Sequence, residues 1–429
     1  MKTIDTTHGS RAQDGGTVRR GTGTFWQINM SFFVGGFATF ITLYDVQPLL
    51  PVFSREFHVP PAIGSLPLSV STCALAVTML LAGSLSEAVG RKPVMAASLV
   101  LTSLLAILTA FSHTFPALLG LRLAQGAVIA GLPAVAMAYL AEEIEPASLG
   151  TAMGLYIGGN AVGGMTGRIY TAAVTDYLPW RTTIGTIGIL CLFLSFYFAR
   201  SLPASTNFRR RPFAVRPMAA GFVTHLREPA LLCLFGIIFL AMGAFVTLYN
   251  YVTFRLIAPP YNLSQMQVSW IFLAYLLGSC SSTLAGHLVH RFGRGVILWL
   301  ALSIMILGTA ATLATGITGQ VAGIALYTCG FFGAHSVASS WVSSKAQTAK
   351  AQASSLYLFF YYLGSSISGT IGGVFWTRWG WKGVAGLIAL LLLAALLLVV
   401  RLVTLAREEA LPETAVPLDG VAVDTFPLH

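Results

Sequence analysis

The sequence predicts an all-α membrane protein in which twelve transmembrane helices form two six-helix bundles related by pseudo-symmetry. The first observation is composition, since hydrophobic residues make up 55% of the 429 residues and charged residues only 9%, whereas a soluble domain carries about 25% charged residues. A chain with so few charges cannot cover a water-facing surface, so we expect lipid to be its solvent. The second observation is a series of long apolar stretches, and the third is an internal repeat that relates the two halves.

Twelve apolar stretches are long enough to cross a bilayer, which requires about 20 apolar residues per helix. Their approximate limits are 26–51, 62–83, 93–111, 116–140, 149–172, 181–200, 229–253, 266–286, 295–314, 318–341, 352–375 and 382–404. An even number of crossings places both termini on one side. The predicted order is an N-terminal tail, a first bundle, a linker, a second bundle and a C-terminal tail, with limits 1–25, 26–200, 201–228, 229–404 and 405–429.

The distribution of positive charge predicts the orientation of these helices. If the N-terminus is cytoplasmic, the cytoplasmic segments contain 18 of the 25 Lys and Arg residues and the outer segments contain six. Cytoplasmic segments of membrane proteins collect Lys and Arg, so we expect both tails and the linker to be cytoplasmic. The net charge of +10 is then a consequence of topology, and nucleic acid is not an expected partner.

The two predicted bundles are copies of one another. Four short segments of the first half recur in the same order in the second half, and their offset drifts slowly along the chain. The matching pairs are 42–45 with 247–250, 83–91 with 286–294, 155–163 with 356–364, and 180–181 with 381–382. Parallel repeats of this kind build a central cavity between two bundles in one class of secondary transporter.

The polar segment 83–92 after the second stretch contains Gly83, Glu87, Gly90 and Arg91. We expect the two glycines to permit a tight turn between helices and the charged side chains to join helix ends on the cytoplasmic side. The segment resembles the signature G-x-L-a-D-r-x-G-r-k of the major facilitator superfamily. It differs in having Glu87 where the superfamily has Asp.

A weaker copy of this signature occurs at 286–294, where His290 replaces the acid. The resemblance covers about residues 25–405 and implies the major facilitator fold. It also implies a cytoplasmic gate in which the acid and the arginine of the first copy act with an acid at the end of span 4, for which Glu142 and Glu143 are the candidates. The alternative is that Lys92 and its neighbouring arginine only set the topology.

One acid and one base lie deep within predicted spans. Arg122 and Asp45 are each about six residues from the outer end of their span, or ~9 Å at 1.5 Å per residue. An isolated charge in a membrane is costly, and spans 1 and 4 line the cavity in the superfamily, so we expect the two charges to meet. We predict proton coupling in which deprotonated Asp45 pairs with Arg122, while its repeat counterpart Asn250 cannot titrate. A permanent ion pair, an exposed Asp45 and a pairing with Arg168 are alternatives.

A substrate cavity is predicted near mid-membrane between the two bundles. The residues predicted to line it are polar or aromatic: Gln125, Asn160, Arg168, Tyr249, Asn250, His335, Tyr357 and Tyr361. Aromatic faces suit amphipathic or cationic organic molecules, through apolar area and cation–π contact. The alternative for any single ring is packing against lipid or protein.

Small residues recur at every fourth position in spans 5 and 8. The two series are Gly159, Gly163, Gly167 and Gly278, Ser282, Gly286. Small residues at this spacing permit close contact between membrane helices. We expect the two series to face each other as a seam between the halves, and ordinary packing is the alternative.

Segments 44–51, 90–95, 335–341 and 354–359 resemble bacterial inner-membrane transporters of the drug:proton antiporter-like branch of the superfamily. Asn160 stands where this branch has the proline of G-P-x-x-G-G. The resemblance implies a proton-coupled secondary active transporter in the bacterial inner membrane. It would export small amphipathic organic molecules, as in drug or metabolite efflux and multidrug resistance, with the proton gradient as driving force and no cofactor.

Two other functions are open on the sequence. One is proton-coupled import of a nutrient or siderophore-like solute, and the other is a non-transporting membrane sensor. An enzyme is not expected, because the chain has no P-loop, HExxH or GxSxG motif, and no metal frame is expected, because its five cysteines form no CxxC pair. The expected partners are a small-molecule substrate and membrane lipid, and the expected state is a monomer.

Overall fold

A computed structural model of the chain describes residues 16–208, 210 and 215–410. Parts of the predicted tails, residues 1–15 and 411–429, lie outside it, as does part of the predicted arginine-rich linker at residues 209 and 211–214. The described residues form helices joined by turns and short segments. A single isolated bridge pairs Val18 with Ile144 among them.

The first half contains nine α-helices and one 3₁₀-helix within the described residues. They are α1 Gly23–Tyr44, the 3₁₀-helix Gln47–Leu49, α2 Leu50–Glu56, α3 Pro61–Gly64, α4 Leu66–Val89, α5 Arg91–Thr109, α6 Phe115–Ile129, α7 Pro133–Glu143, α8 Pro146–Thr175 and α9 Trp180–Ser201.

A further helix precedes the second half, which contains the remaining helices of the described chain. They are α10 Val215–Leu226, α11 Pro229–Ile257, α12 Gln265–Ser269, the 3₁₀-helix Trp270–Leu273, α13 Ala274–Phe292, α14 Arg294–Ala311, α15 Ile317–Lys345 and α16 Lys350–Ala410. Helix α16 is two helices joined at Gly380, whose φ of 58° and ψ of −147° are not helical.

Twelve membrane crossings can be counted in the described chain. Ten helical segments combine the length and mean hydropathy that a membrane crossing requires, with α1 joined to α2, α6 to α7 and α12 to α13. Helix α8 adds an eleventh crossing, because it is 30 residues long although rich in glycine. The break at Gly380 divides α16 into two crossings. The prediction of an all-α membrane protein is therefore confirmed.

Glycine and proline set the ends of several of these helices. Gly90 ends α4 at φ 124° and Gly293 ends α13 at φ 82°, a conformation that favours glycine. Proline lies in the first turn of α6, α7, α8 and α11, where its missing N–H leaves no helical bond unmade. Gly83 lies inside α4, so the expectation that it also shapes the turn is wrong.

The helices of each half pack mainly with one another. In the first half α1 packs against α8 and α9, α4 against α6, and α5 against α9. In the second half α11 packs against α16, while α15 packs against α13 and α14. Contacts between the halves join α4 to α16 and α8 to α12. We call the face that holds Gly90 and Gly293 the terminal face, because α1 begins there, and the opposite face the distal face.

Two departures from the predicted spans bear on function. The first predicted span, 26–51, is not one helix, because α1 ends at Tyr44 and a 3₁₀-helix begins at Gln47. The predicted linker also contains helix α10, whose Met218 sulfur accepts a hydrogen bond from Ser84 of α4. On its other side, His225 Nε2 lies 3.1 Å from the carbonyl oxygen of Ala349. The linker helix therefore contacts both halves at the terminal face.

Candidate functional site

A buried ion pair joins α1 to α6. Arg122 Nη1 lies 3.3 Å from Asp45 Oδ1, and the two residues are 1% and 0% exposed. Arg168, the rival partner, instead donates to Gln47 Oε1 and to the carbonyl oxygen of Gly164. The structure thus pairs Asp45 with Arg122 and shields the carboxylate from water in this conformation.

Arg122 also has four acceptors besides Asp45. Its Nη1 donates to Gln125 Oε1 over 2.6 Å, and its other hydrogen bonds reach the carbonyl oxygens of Thr42, Leu43 and Pro67. These carbonyls belong to α1 and α4, so one guanidinium links three helices. Asp45 Oδ2 has no hydrogen-bond partner among the described residues. The carboxylate is therefore held by one oxygen only.

The local sequence explains how these two side chains meet. Asp45 is the C-cap of α1, and Pro48 in the following 3₁₀-helix has no N–H with which to continue the α-helical ladder. The carboxylate thus lies at a break in the helix. On the other side, Gly126 permits α6 to approach α4, because a Cβ there would overlap the backbone of Ser71.

The residues of the predicted gate meet at the terminal face. Arg91 donates to both oxygens of Glu142, over 2.7 and 3.3 Å, and its Nη1 donates to Ser86 over 2.6 Å. Glu87 lies 3.9 Å from the same guanidinium. The alternative acid, Glu143, instead accepts hydrogen bonds from the segment after α9. The structure therefore selects Glu142 as the span-4 acid beside Arg91.

The two halves are joined by side-chain hydrogen bonds toward the distal face. Gln47 Nε2 donates to Asn250 Oδ1 over 2.8 Å. Two hydroxyl pairs link α4 to α16 in the same way, Thr72 with Ser366 at 2.7 Å and Ser69 with Thr370 at 2.9 Å. We call these three pairs the distal contacts.

A fourth connection at the distal face involves a helix end. The carboxylate of Asp176, which follows α8, accepts hydrogen bonds from the backbone N–H groups of Gln265 and Met266 over 3.1 and 2.9 Å. These groups form the first turn of α12 in the second half. A carboxylate at a helix N-terminus satisfies free N–H groups and is stabilised by the helix dipole.

Arg168 lies in the same region, against rings from both halves. Its guanidinium carbon is 3.9 Å from the ring centre of Tyr44, 5.2 Å from that of Phe272 and 5.0 Å from that of Tyr275. A cation this close to ring faces makes a cation–π contact. Arg168 therefore adds a link from α8 to the 3₁₀-helix Trp270–Leu273 and to the first turn of α13 in the second half.

The predicted aromatic residues of the second half form one cluster. Tyr249 packs on Tyr275 with ring centres 5.2 Å apart, and its hydroxyl bonds to Thr328 at 2.7 Å. The hydroxyl of Tyr357 lies 2.9 Å from His335 Nδ1. The rings that connect these residues or pack against them are Phe245, Phe331, Phe332 and Tyr361.

The eight residues predicted to line one cavity lie in four places, two of which adjoin, because Arg168 contacts the ring of Tyr275, on which Tyr249 packs. Gln125 bonds to Arg122 within the first half, and Asn160 lies next to Gly36 where α8 packs on α1. Arg168 and Asn250 lie at the distal contacts. The remaining residues belong to the aromatic cluster of the second half: Tyr249, His335, Tyr357 and Tyr361.

The comparison that decides the family is a match to the Major Facilitator Superfamily over residues 31–369. The chain belongs to this superfamily. It is 50% identical over 379 residues to the MFS-type transporter YybF of Bacillus subtilis, covering 88% of this chain and 94% of YybF. It is 44% identical over 398 residues to the inner membrane transport protein YnfM of Escherichia coli, covering 93% and 95%.

Solved structures agree with the fold. A bacterial homolog of the human lysosomal transporter Spinster, in an inward-facing and unoccupied conformation, superposes with a TM-score of 0.68 at 14% identity. The match covers 90% of this chain and 96% of the homolog. This likeness shows the fold alone, whereas the family match and the relatives YybF and YnfM show that the chain is a membrane transporter of the superfamily and not an enzyme.

This superfamily transporter is closed at its distal face. Helix α8 packs against α12 and the 3₁₀-helix Trp270–Leu273, which lie at the distal end of the second half. A buried apolar cluster also runs from the second half into the distal part of the first half, whereas the terminal part of the first half has an apolar cluster of its own. A cavity of about 490 Å³ lies between α13 and α15 at the terminal end.

Sequence reasoning missed three groups of residues in this transporter. The first group is Gln47 and Tyr44, which lie within two residues of Asp45. Gln47 is a polar residue directly before the helix-breaking Pro48, and this pattern could have marked it as a candidate site residue. The second group is the hydroxyl pairs of α4 and α16. A single sequence does not distinguish these residues from other serines and threonines, which are common in membrane helices. The third is Asp176, whose position as an acid just after a predicted span was only a weak indication of a role.

Proposed function

We propose that this transporter exports small amphipathic organic molecules in exchange for protons by alternating access. The observation that carries the proposal is the ion pair of Asp45 and Arg122, which is buried inside the membrane-spanning part of the first half. Ionisable groups in such positions are expensive, and in transporters they mark ion and proton pathways.

The proton is proposed to bind Asp45 Oδ2, the oxygen that has no partner among the described residues. Neutralising the carboxylate removes its attraction for Arg122, while Gln125 and three backbone carbonyls still accept from the guanidinium. Removing the partner of a buried ion pair normally leaves an unsatisfied charge. Here the other acceptors lower that cost, so the pair can be broken and remade in each cycle.

The ion pair is connected to the distal contacts through the chain itself. Gln47 lies two residues after Asp45, in the 3₁₀-helix that follows the break in α1. Its amide accepts from Arg168 and donates to Asn250 of the second half. A change in the position of Asp45 on protonation therefore moves a residue that helps to close the distal face. Because Asp45 is 0% exposed in this conformation, proton exchange is proposed to follow opening of that face.

The aromatic cluster supports an amphipathic substrate. Its rings and hydroxyls are supplied by α11, α13, α15 and α16, which bring apolar area and cation–π capacity to one place. Tyr361 and His335 are partly exposed, while Tyr249 is fully buried. Substrate is proposed to contact the partly exposed rings from the space between the halves.

The proposed orientation in the membrane and the proposed direction of transport are both argued from the sequence. The excess of Lys and Arg on the terminal face supports a cytoplasmic terminal face with both termini cytoplasmic, in the bacterial inner membrane. The resemblance to the drug:proton antiporter-like branch supports export. Under this orientation the described conformation is closed to the outside.

The experiment that tests the proposal uses purified protein in proteoliposomes with an imposed pH gradient and a panel of amphipathic cations and neutral solutes. We expect solute to stimulate proton flux for the wild type and not for Asp45→Asn. The variant should still exchange labelled solute without a gradient, which shows that it is folded. Glu56→Gln is the matched control, because Glu56 is a distal-face carboxylate that binds Arg181 and Trp180 in the same half.

Two outcomes would count against the proposal. Solute-stimulated proton flux of wild-type size in Asp45→Asn would exclude this residue as the coupling site. The direction is tested in inside-out vesicles with an acidic lumen, where a proton-coupled exporter accumulates solute. Accumulation only in right-side-out vesicles in an acidic medium would establish import instead.

A further inference from the structure

The second copy of the gate differs from the first in its charges. In the first half Arg91 is surrounded by Glu142 and Glu87. Its counterpart Arg294 donates instead to the hydroxyl of Ser344 over 2.5 Å, and His290 stands at the position that corresponds to Glu87. The second copy therefore keeps the arginine and has neither carboxylate.

A cavity lies where those carboxylates are missing. It has a volume of about 490 Å³ and is lined by ten residues of α13, α14 and α15, none of which is acidic. The polar ones among these residues are Ser282, Thr283, His287, His290, Arg294, Ser336 and Ser340. Arg91 is buried by its partners in the first half, whereas Arg294 is only half-buried. The volume is in the range of small-molecule sites, about 300–1,000 Å³.

We propose that this cavity binds a small anion with a phosphate or carboxylate group, which takes the place of the carboxylates that the first half supplies. Arg294 provides a permanent cation with a planar fork of donors, the geometry that suits such groups. The two imidazoles and the hydroxyls provide further N–H and O–H donors around it. The anion would complete the second copy of the gate at the terminal face.

The surrounding charges agree with an anion. Arg291, the neighbouring base, is not among the residues that line the cavity; it is exposed and lies over the ring of Phe292. Glu228, an acid of the second half's terminal face, forms an ion pair with Lys345 at 3.7 Å. The site is separate from Asp45 and Arg122, so the inference stands whether or not the transporter couples export to protons.

The binding test uses full-length protein in nanodiscs of phosphatidylcholine only, with inorganic phosphate and glycerol 3-phosphate as probes in calorimetry. We expect saturable binding by the wild type and binding weakened about tenfold or more in Arg294→Ala, since hydrogen bonds to a charged group are the strong ones. Ser344→Glu should weaken it similarly, because it restores a carboxylate beside an intact Arg294. Arg291→Ala is the matched control and should bind as the wild type does.

The source of the anion is distinguished by a lipid arm of the same experiment. In nanodiscs that contain phosphatidylglycerol, mass spectrometry measures the lipid that stays with the protein after purification. If the wild type retains phosphatidylglycerol and both Arg294→Ala and Ser344→Glu lose it, the ligand is a lipid phosphate. If the soluble probes bind instead, the ligand is a free anion. If neither the probes nor the lipid distinguishes these variants from the wild type, the inference is wrong.

Discussion

Gln47 Nε2 donates a hydrogen bond to Asn250 Oδ1 over 2.8 Å, and so joins the two halves two residues after Asp45. The acceptor is the repeat counterpart of Asp45 itself, since 42–45 and 247–250 are matching segments. One half has an ionisable carboxylate at this position, and the other has an amide that can only hydrogen-bond. At this duplicated position the first half thus has a charged residue, and the second half has a residue that contacts the other half.

Replacing Gln47 by alanine should favour opening of the distal face. The variant removes the bond to Asn250 and also the acceptor of Arg168, and each net hydrogen bond contributes about 0.5–1.5 kcal/mol. We expect a membrane-impermeant maleimide to label Thr370→Cys roughly fivefold faster than it labels the same reporter with Gln47 intact, in a background without the native cysteines; both proteins lack the Ser69–Thr370 bond, so it does not contribute to the difference. Gln267→Ala is the control, because Gln267 caps α12 at the same face without reaching the other half. Equal labelling in the two variants would argue against a closing role for Gln47.

Asp176 should contribute to the same closure through the helix end that it caps. Asp176→Asn keeps the size of the side chain but removes the charge that accepts from two N–H groups of α12. A carboxylate at a helix N-terminus contributes about 0.3–1 kcal/mol, so we expect distal labelling to rise about twofold to fivefold. Glu56→Gln removes a distal carboxylate whose partners lie in its own half and should leave labelling unchanged. If labelling rose equally in Asp176→Asn and Glu56→Gln, the effect would come from the loss of negative charge at the distal face and not from the contact between Asp176 and α12.

Arg122 should not be replaceable by lysine. Lysine keeps the positive charge, but it has no planar fork that can reach Leu43, Pro67 and Gln125 together. Each buried acceptor left without a donor costs about 1–3 kcal/mol, so we expect the free energy of unfolding to fall by at least about 2 kcal/mol. Thermal unfolding in detergent measures the loss, with the exposed Arg378→Lys as control. A wild-type melting curve for Arg122→Lys would show that charge alone matters at this position.

The sequence predicted the helices and the buried pair because both follow from the membrane itself. Hydropathy reports which segments enter lipid, and a rise of 1.5 Å per residue places Asp45 and Arg122 at one depth. Contacts across the halves could not be predicted, because they depend on which conformation the bundles adopt. The pairing of Ser69 with Thr370, for example, requires the distal face to be closed.

The prediction that the glycines of span 5 face span 8 was wrong. Spacing predicts that a helix face permits close approach, but it does not say which neighbour approaches. Gly159, Gly163 and Gly167 pack against the backbone of α1 at Phe33, Phe37 and Ile41. They therefore hold α8 against α1, the helix whose C-cap is Asp45.

Two adjacent glycines of α8 provide a matched test of this packing. A Cβ at Gly159 would overlap the backbone of Phe33, whereas a Cβ at Gly158 would meet no atom within 4 Å. Both substitutions by alanine raise helix propensity equally, so their difference isolates the contact. Overpacking costs about 1–3 kcal/mol, and we expect Gly159→Ala to lower the midpoint of thermal unfolding while Gly158→Ala leaves it unchanged or raises it. Equal midpoints would show that α1 can move away from α8 at little cost, and the rigid support inferred for the Asp45 helix would then be absent.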